Sequence, residues 1–411
     1  MVLKIPEISN HELKRILLVG CHLHRWQSKE QDGIRKVIRE QGFVQLDLIN
    51  PASRYHDLFF SSRIHDYHQG EFERTVYPEK LVFETYFHNL NAIHIEHFPL
   101  FYSQTLDRNH LDRYYSRALR ILEQTHPDML DQVLNYVQKQ GITRSSDLVS
   151  LGKADPKYAV WKTSRNSGTA LELLWAMGKL AVIRDENFRK TYDVIERYVE
   201  ESALVKQSYS EEEQQHLKLI LKLQSFPVIS TGRLSIKKKG IKFGKKINLS
   251  PDRLLSEENI DRFTPSLIQL KDEAMGYIVP SNWGEMSQES LDDEMRVIGP
   301  LDPLIWDRQL LNKLFDFDYM WEVYKKPQDR KWGYYVYPLL YRGIFIGRLE
   351  AKYESKISTL RLFNYQAEDH FSMDSDTEEA FHWMVARWKR MVGAEEVDYD
   401  TSIPYTNIEA G

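Results

Sequence analysis

The sequence predicts an α+β protein in which helical units, each closed by a short strand segment, precede an antiparallel, barrel-like β-unit. Three observations carry this expectation. Apolar residues recur at helical spacing over residues 10–42 and again over 111–180. Each of these regions runs into a segment with the alternation or turn chemistry of strands. From about Tyr277 onward the texture changes to runs rich in Tyr, Trp, Val and Ile, broken by Pro, Gly and Asp.

The first region holds two helix patterns, residues 11–20 and 32–42, and Gly42 is placed to stop the second. Residues 43–50, FVQLDLIN, then alternate as a strand. Phe43, Gln45 and Asp47 fall on one side and Val44, Leu46 and Leu48 on the other, with Pro51 as terminator. Helices are expected over 111–141, interrupted at Pro127, with Thr143, Ser145 and Ser146 as caps for a short helix beyond. A third helix follows over 169–178 with Leu171, Leu174 and Trp175 on one face, ending at Gly178. Two strand-like runs around Asp185-Glu186-Asn187 complete the order helix, helix, helix, ribbon, which is that of a winged helix. Residues 211–276 are expected to be a further helical region carrying a basic segment, with Ser250-Pro251 as a helix start. Four or five strands, an amphipathic helix over 377–393 and a loose tail close the chain. The division expected is 1–107, 108–205, 206–276 and 277–411.

Composition bounds the function. The 411 residues suffice for several cores, and 42% hydrophobic with 28% charged content is that of a globular chain. No apolar run approaches the ~20 residues that span a bilayer, and no signal peptide is expected at the start. The single cysteine, Cys21, excludes an internal disulfide and a cysteine-based zinc site, and points to the cytosol. Net charge is −5, yet Lys237, Lys238 and Lys239 belong to a dense basic stretch running from Arg233 to Lys246. That stretch is either a solvated loop or an arm that contacts phosphates. On the second helix–ribbon unit, Lys162, Arg165, Arg184, Arg189 and Lys190 are placed where such a unit meets DNA.

Phosphate-cradling glycine loops, dinucleotide fingerprints and nucleophile elbows are missing from the sequence. His94, Glu96 and His97 do not form a convergent metal set at strand spacing, and no metal is expected. Gln45 and Asp47 are the better candidates. On a strand they share a face roughly 6.6 Å apart. Either this is an ordinary polar strand face, or the amide and carboxylate hold one water between them for hydrolysis.

Several stretches resemble the winged-helix interstrand-crosslink DNA glycosylases (the YcaQ/AlkZ type). QLDLINPASRYHDLFFSSR (45–63) is similar to the catalytic Q-x-D/Q motif and its trailing pattern. Residues 85–101 resemble the segment that brings a His into the same cavity, and residues 161–195 the second winged helix. Residues 298–352, from LDPLIWDR to GYYVYPLL and beyond, look like the signature leading into the β-domain. The stretch from about Gln224 to Asn282 departs from the pattern.

The resemblance implies three tandem winged helices forming a C-shaped scaffold with a C-terminal β-barrel. It implies a monofunctional glycosylase for alkylated purines, including interstrand crosslinks, working without cofactor, metal or lyase step. Gln45 and Asp47 match the catalytic positions, with Arg54 and His88 as supporting neighbours. The partner implied is double-stranded DNA carrying alkylated or crosslinked bases, met by a monomer in the bacterial cytosol or nucleoid, with no membrane involved. Asp47 in place of a second Gln implies the branch with broad alkyl-lesion activity. A non-catalytic winged-helix regulator, or a module that binds protein through the aromatic β-unit, are the alternatives.

Overall fold

A computed structural model divides the chain into two compact units, one of Met1–Phe72 with Glu211–Gly411 and one of Glu73–Ser210. It describes residues 5–27, 32–105, 111–151, 166–205, 209–233, 241–243, 247–249, 264–271, 273, 275–372 and 374–403.

In the larger unit the first helix is Asn10–Gly20. A capping box opens it: the Glu12 amide donates to Ser9 Oγ at 3.2 Å and the Ser9 amide to Glu12 Oε2 at 2.7 Å. Leu13, Ile16, Leu17 and Cys21 enter the core, where burial pushes the Cys21 thiol far up and leaves it inert. The helix Gly33–Gln41 ends, as expected, at Gly42, whose φ is +74°. A Cβ there would also lie 2.3 Å from Gln224 Oε1, so only glycine fits.

Residues 264–276 correct the expectation of helix. Pro265–Leu270 and Met275–Pro280 are antiparallel strands, flanked by Ile229–Arg233 on one side and by Glu7–Ile8, in parallel, on the other. Leu267, Ile268 and Leu270 are buried in this sheet, and ladder pairing on both edges overrides local helix preference. The helix start at Ser250-Pro251 lies outside the described residues.

The C-terminal part is a five-stranded sheet in the order Arg296–Val297, Val336–Tyr341, Ile344–Glu354, Thr359–Ala367, Glu396–Tyr399. Its pairs are antiparallel except the last. The final strand corrects the expectation of a loose tail, at least as far as Ile403. The helix Ser375–Val392 buries Phe381, Met384, Val385, Trp388 and Met391, the face expected from spacing.

One buried ion pair ties this unit together. Arg63 and Asp302 are both fully buried, joined by two hydrogen bonds of 2.9 and 3.2 Å. Arg63 also donates to the carbonyls of Cys21 (2.9 Å) and Phe59 (3.0 Å) and to Ser62 Oγ (2.9 Å). Every guanidinium nitrogen is therefore engaged, which is what makes such a buried charge tolerable.

The smaller unit holds the hairpin Val82–Tyr86/Leu90–His94, the helices Arg113–Thr125, Met129–Gln140 and Asn166–Ala176, and the ribbon Leu180–Arg184/Lys190–Val194. The break at Pro127, the stop at Gly178 (φ +67°) and the ribbon fall where the sequence places them.

Removing one partner of the Arg63–Asp302 pair strands a buried charge. Asp302→Ala is expected to cost about 3–5 kcal/mol in urea unfolding of the larger unit, whereas Arg63→Met with Asp302→Leu restores much of it. Equal stability of wild type and Asp302→Ala would show that the pair is not structural.

Candidate active site

The strand that carries Gln45 is shorter than its alternation suggests. It runs over Phe43–Gln45 and stops, so Gln45 and Asp47 do not share a strand face. The cause is local. Asp47 Oδ1 accepts the Ile49 amide at 2.7 Å, an Asx turn that bends the chain away from ladder pairing. Val44 and Leu46 are buried as expected, but Leu48 is 76% exposed, against the expectation that it joins the apolar face.

The turn leaves a distinctive pair of groups. Gln45 is only 6% exposed. Asp47 is half-buried with one oxygen engaged by Ile49 and the other unpartnered among the described residues. Burial raises its pKa, with the Ile49 hydrogen bond and the nearby His56 acting in the opposite sense. A third polar group lies within reach of the Asp47 charge. The Tyr335 hydroxyl is buried without a hydrogen-bond partner, and burial, followed by the charges of Tyr337 and Asp47, pushes its pKa far up.

The chain continuing from Asp47 forms one wall of an open groove of about 960 Å³, with Ile49, Asn50 and Pro51 on that side. The opposite wall is the loop Pro327–Tyr335 together with the strand residues around Glu350 and Asn364. This loop belongs to a stretch expected to form strands, yet the strand starts only at Val336. Two carboxylates hold it open. Glu322 accepts the amides of Lys331 (2.9 Å), Trp332 (2.8 Å) and Gly333 (3.5 Å), and Glu350 those of Tyr334 (2.7 Å) and Tyr335 (3.0 Å). Burial opposes ionisation of Glu322, but Lys325 and these amides hold its pKa down at about 2. Gly333 sits at φ +149°, and a Cβ there would lie 2.4 Å from Glu350 Oε2.

The other residues singled out from sequence fall in different settings. Arg54 is half-buried at the N-cap of the helix Tyr55–Ser61. His88 is exposed on the turn of the Val82–His94 hairpin in the smaller unit, its amide donating to Asn91 Oδ1 at 3.0 Å. In that unit the Glu96 carboxylate lies 3.5 Å from His94 Nδ1 and 3.4 Å from His97 Nε2.

Arg184 corrects its assignment as a DNA contact. It is 6% exposed and forms two 2.7 Å hydrogen bonds to Glu84, which also accepts from Tyr77. A guanidinium so engaged cannot reach a phosphate. Burial pushes Glu84 up, but Arg184 outweighs it and holds the carboxyl below its ordinary value. Lys190 likewise pairs with Glu172 at 2.9 Å, whereas Arg189 is 64% exposed beside Asp185. Lys162, Arg165, Lys237, Lys238 and Lys239 lie outside the described residues. Arg330, Lys331 and Tyr334 escaped the sequence reading, although basic and aromatic residues interleave over 325–335.

Comparison with known proteins places the fold first. A solved structure, the Streptomyces sahachiroi DNA glycosylase AlkZ, covers 96% of this chain and 99% of its own at a TM-score of 0.54 and 11% identity. At that identity the likeness speaks for the α+β fold. The family model "DNA glycosylase AlkZ-like" matches residues 38–223 and 261–391. This chain therefore belongs to the AlkZ-like DNA glycosylase family. The first matched segment includes the Gln45–Asp47 turn and the Ile49–Pro51 wall, the second the facing wall, and the gap between them holds the lysine-rich stretch.

Arg184→Ala is expected to lower stability of the smaller unit by about 3–5 kcal/mol, the effect of breaking a buried pair. Glu84, its pKa lowered from 4.5, contributes stability that is present above that value and lost as pH falls through the folded-state value. The variant should thus show a shallower stability–pH slope in that acid range. Unchanged stability with weakened DNA binding would return Arg184 to the DNA surface.

Proposed function

We propose that this protein is a monofunctional DNA glycosylase that hydrolyses the N-glycosidic bond of alkylated purines, including those in interstrand crosslinks. The observation that carries the reading is the turn that sets Gln45, 6% exposed, two residues from Asp47, whose carboxylate is fixed by one oxygen and open at the other. An amide both donates and accepts, so Gln45 can hold and aim a water while Asp47 takes its proton.

Alkylation at a ring nitrogen leaves the purine positively charged. As the C1′–N bond breaks, its electron pair neutralises the ring, so the base departs without a proton from the enzyme. The sugar develops oxocarbenium character, which the Asp47 anion stabilises. The water oxygen bonds to C1′ and its proton passes to Asp47. No step calls for a metal, a cofactor or a lysine nucleophile, so no lyase product is expected. Tyr335, near enough to Asp47 to feel its charge, is a third polar group close to the site.

In this reading the helical units are tandem winged helices on duplex DNA. Arg54 and His88 support the site, and Lys162, Arg165, Arg189 and Lys237–Lys239 contact phosphates. An interstrand crosslink ties the base to the opposite strand, so full extrusion into a closed pocket is impossible. The open groove beside Asp47 suits such a substrate.

Purified protein should release alkylated purine from methylated duplex DNA in the presence of chelator. Asp47→Asn should bind that DNA as wild type does and lose at least about 100-fold in single-turnover rate. Full activity of Asp47→Asn would move the chemistry elsewhere. DNA binding without any base release by the wild type would favour a regulator.

A further inference from the structure

We infer that the groove beside Asp47 is a binding site for a nucleotide lifted out of the duplex stack. Its base lies on the Tyr334 ring and its phosphate among Arg330, Lys331 and Lys352. The inference rests on the glycosylase reading for the identity of the macromolecule, and adds where a distorted strand is held.

Position is the first argument. Ile49, Asn50 and Pro51 lead directly from Asp47 into the groove wall, so whatever occupies the groove touches the chain segment that carries the chemistry. At about 960 Å³ and open on one side, the space admits a nucleotide that stays covalently attached to its strand.

Chemistry is the second. Tyr334 is 43% exposed, with the Arg330 guanidinium 4.9 Å from its ring centroid. Lys331 lies 4.3 Å from the Trp332 ring, whose other neighbour is Arg348 at 4.6 Å. Cations interleaved with aromatic faces hold unpaired nucleic acid: the rings stack on bases and the cations follow the backbone.

Charge is the third. Arg330 donates through Nε to the Lys325 carbonyl at 3.1 Å and pairs with no carboxylate among the described residues. Lys331 is 3.6 Å from Asp318 and Lys352 is 3.3 Å from Glu354, but both lysines are more than half exposed. Such pairs hold little energy, so these cations remain available to a phosphate. Glu350, the carboxylate lining the groove, is occupied by the amides of Tyr334 and Tyr335 and by Asn364 Nδ2 at 3.0 Å.

Rigidity is the fourth. Glu322 and Glu350 pin the loop, Gly333 fits where no side chain could, and Asn364 and Gln366 both donate to the Trp332 carbonyl. A loop ordered in advance loses little entropy when it binds.

The test uses the full chain and a fluorescent duplex with one unpaired, bulged adenosine (the analogue duplex), compared with the same duplex fully paired and undamaged. Tyr334→Ala should weaken binding to the analogue duplex by about 5- to 150-fold, the range for one lost base stack. The undamaged duplex should change less than about twofold, and Tyr334→Phe should behave as wild type. Arg330→Ala and Lys352→Ala should each lower the salt slope for the analogue duplex by about one. Equal losses on both duplexes, or none, overturn the inference. So does displacement by a polyglutamate peptide with the duplex left unaffected by Tyr334→Ala, which would mark the groove as a site for acidic protein. Base release by the wild type is measured separately. Its absence removes the glycosylase reading, while the comparison of the two duplexes still decides the groove.

Discussion

The larger unit depends on one guanidinium. Arg63 reaches from the end of the helix Tyr55–Ser61 to Asp302 at the entry to the β-rich part, and to the carbonyl of Cys21 at the end of the first helix. Three stretches far apart in the chain are thereby locked to one another without water between them. Asp302 uses a second contact, accepting the Leu304 amide at 3.1 Å and capping the short turn Pro303–Ile305. The chain also closes tightly at Gly299, where a Cβ would lie 2.7 Å from the Tyr55 ring. The Gln45–Asp47 turn, shaped locally by the Asp47–Ile49 hydrogen bond, belongs to the same unit.

Carboxylates shape the irregular backbone around the site, in place of ladders. Asp47 bends its own segment by taking the Ile49 amide, and Glu322 and Glu350 gather the amides of the facing loop. In each case an acid satisfies N–H groups that a strand would have paired. Asp47 spends only one oxygen this way, and burial keeps its pKa above the ordinary range. The same residue therefore bends the chain and leaves one carboxylate oxygen for the proton acceptance proposed above. Glu322 is the contrast: its pKa is held at about 2 by the amides and Lys325, which leaves it no proton chemistry near neutrality.

Much of the helical architecture was legible in the sequence because its signals are local. Gly42, Pro127 and Gly178 punctuate helices where caps and missing donors dictate. The C-terminal helix was readable from the spacing of Phe381, Met384, Trp388 and Met391. Misplaced elements depend on distant partners. Pro265–Leu270 is a strand because Met275–Pro280 folds back on it and Glu7–Ile8, from the other end of the chain, pairs with its far edge, which its own window cannot show. Arg184 looked like a wing residue facing DNA, and Glu84, a hundred positions away, draws it inward. At the site, alternation named Gln45 and Asp47 but gave the wrong reason: the Asx turn, not a shared strand face, sets their geometry.

The central claim is that an ionised Asp47 supplies proton acceptance and charge, while the alkylated base leaves without an acid. The pH dependence of single-turnover base release tests it most directly, using a duplex with one 7-methylguanine between about pH 4 and pH 9. Burial raises the Asp47 pKa, so the account predicts one acid limb with a midpoint above the ordinary value of 3.8, then a plateau to the alkaline end. Asp47→Asn should flatten that limb. A bell-shaped profile with an alkaline limb would mean that a protonated group is needed at the leaving base, and would contradict the account.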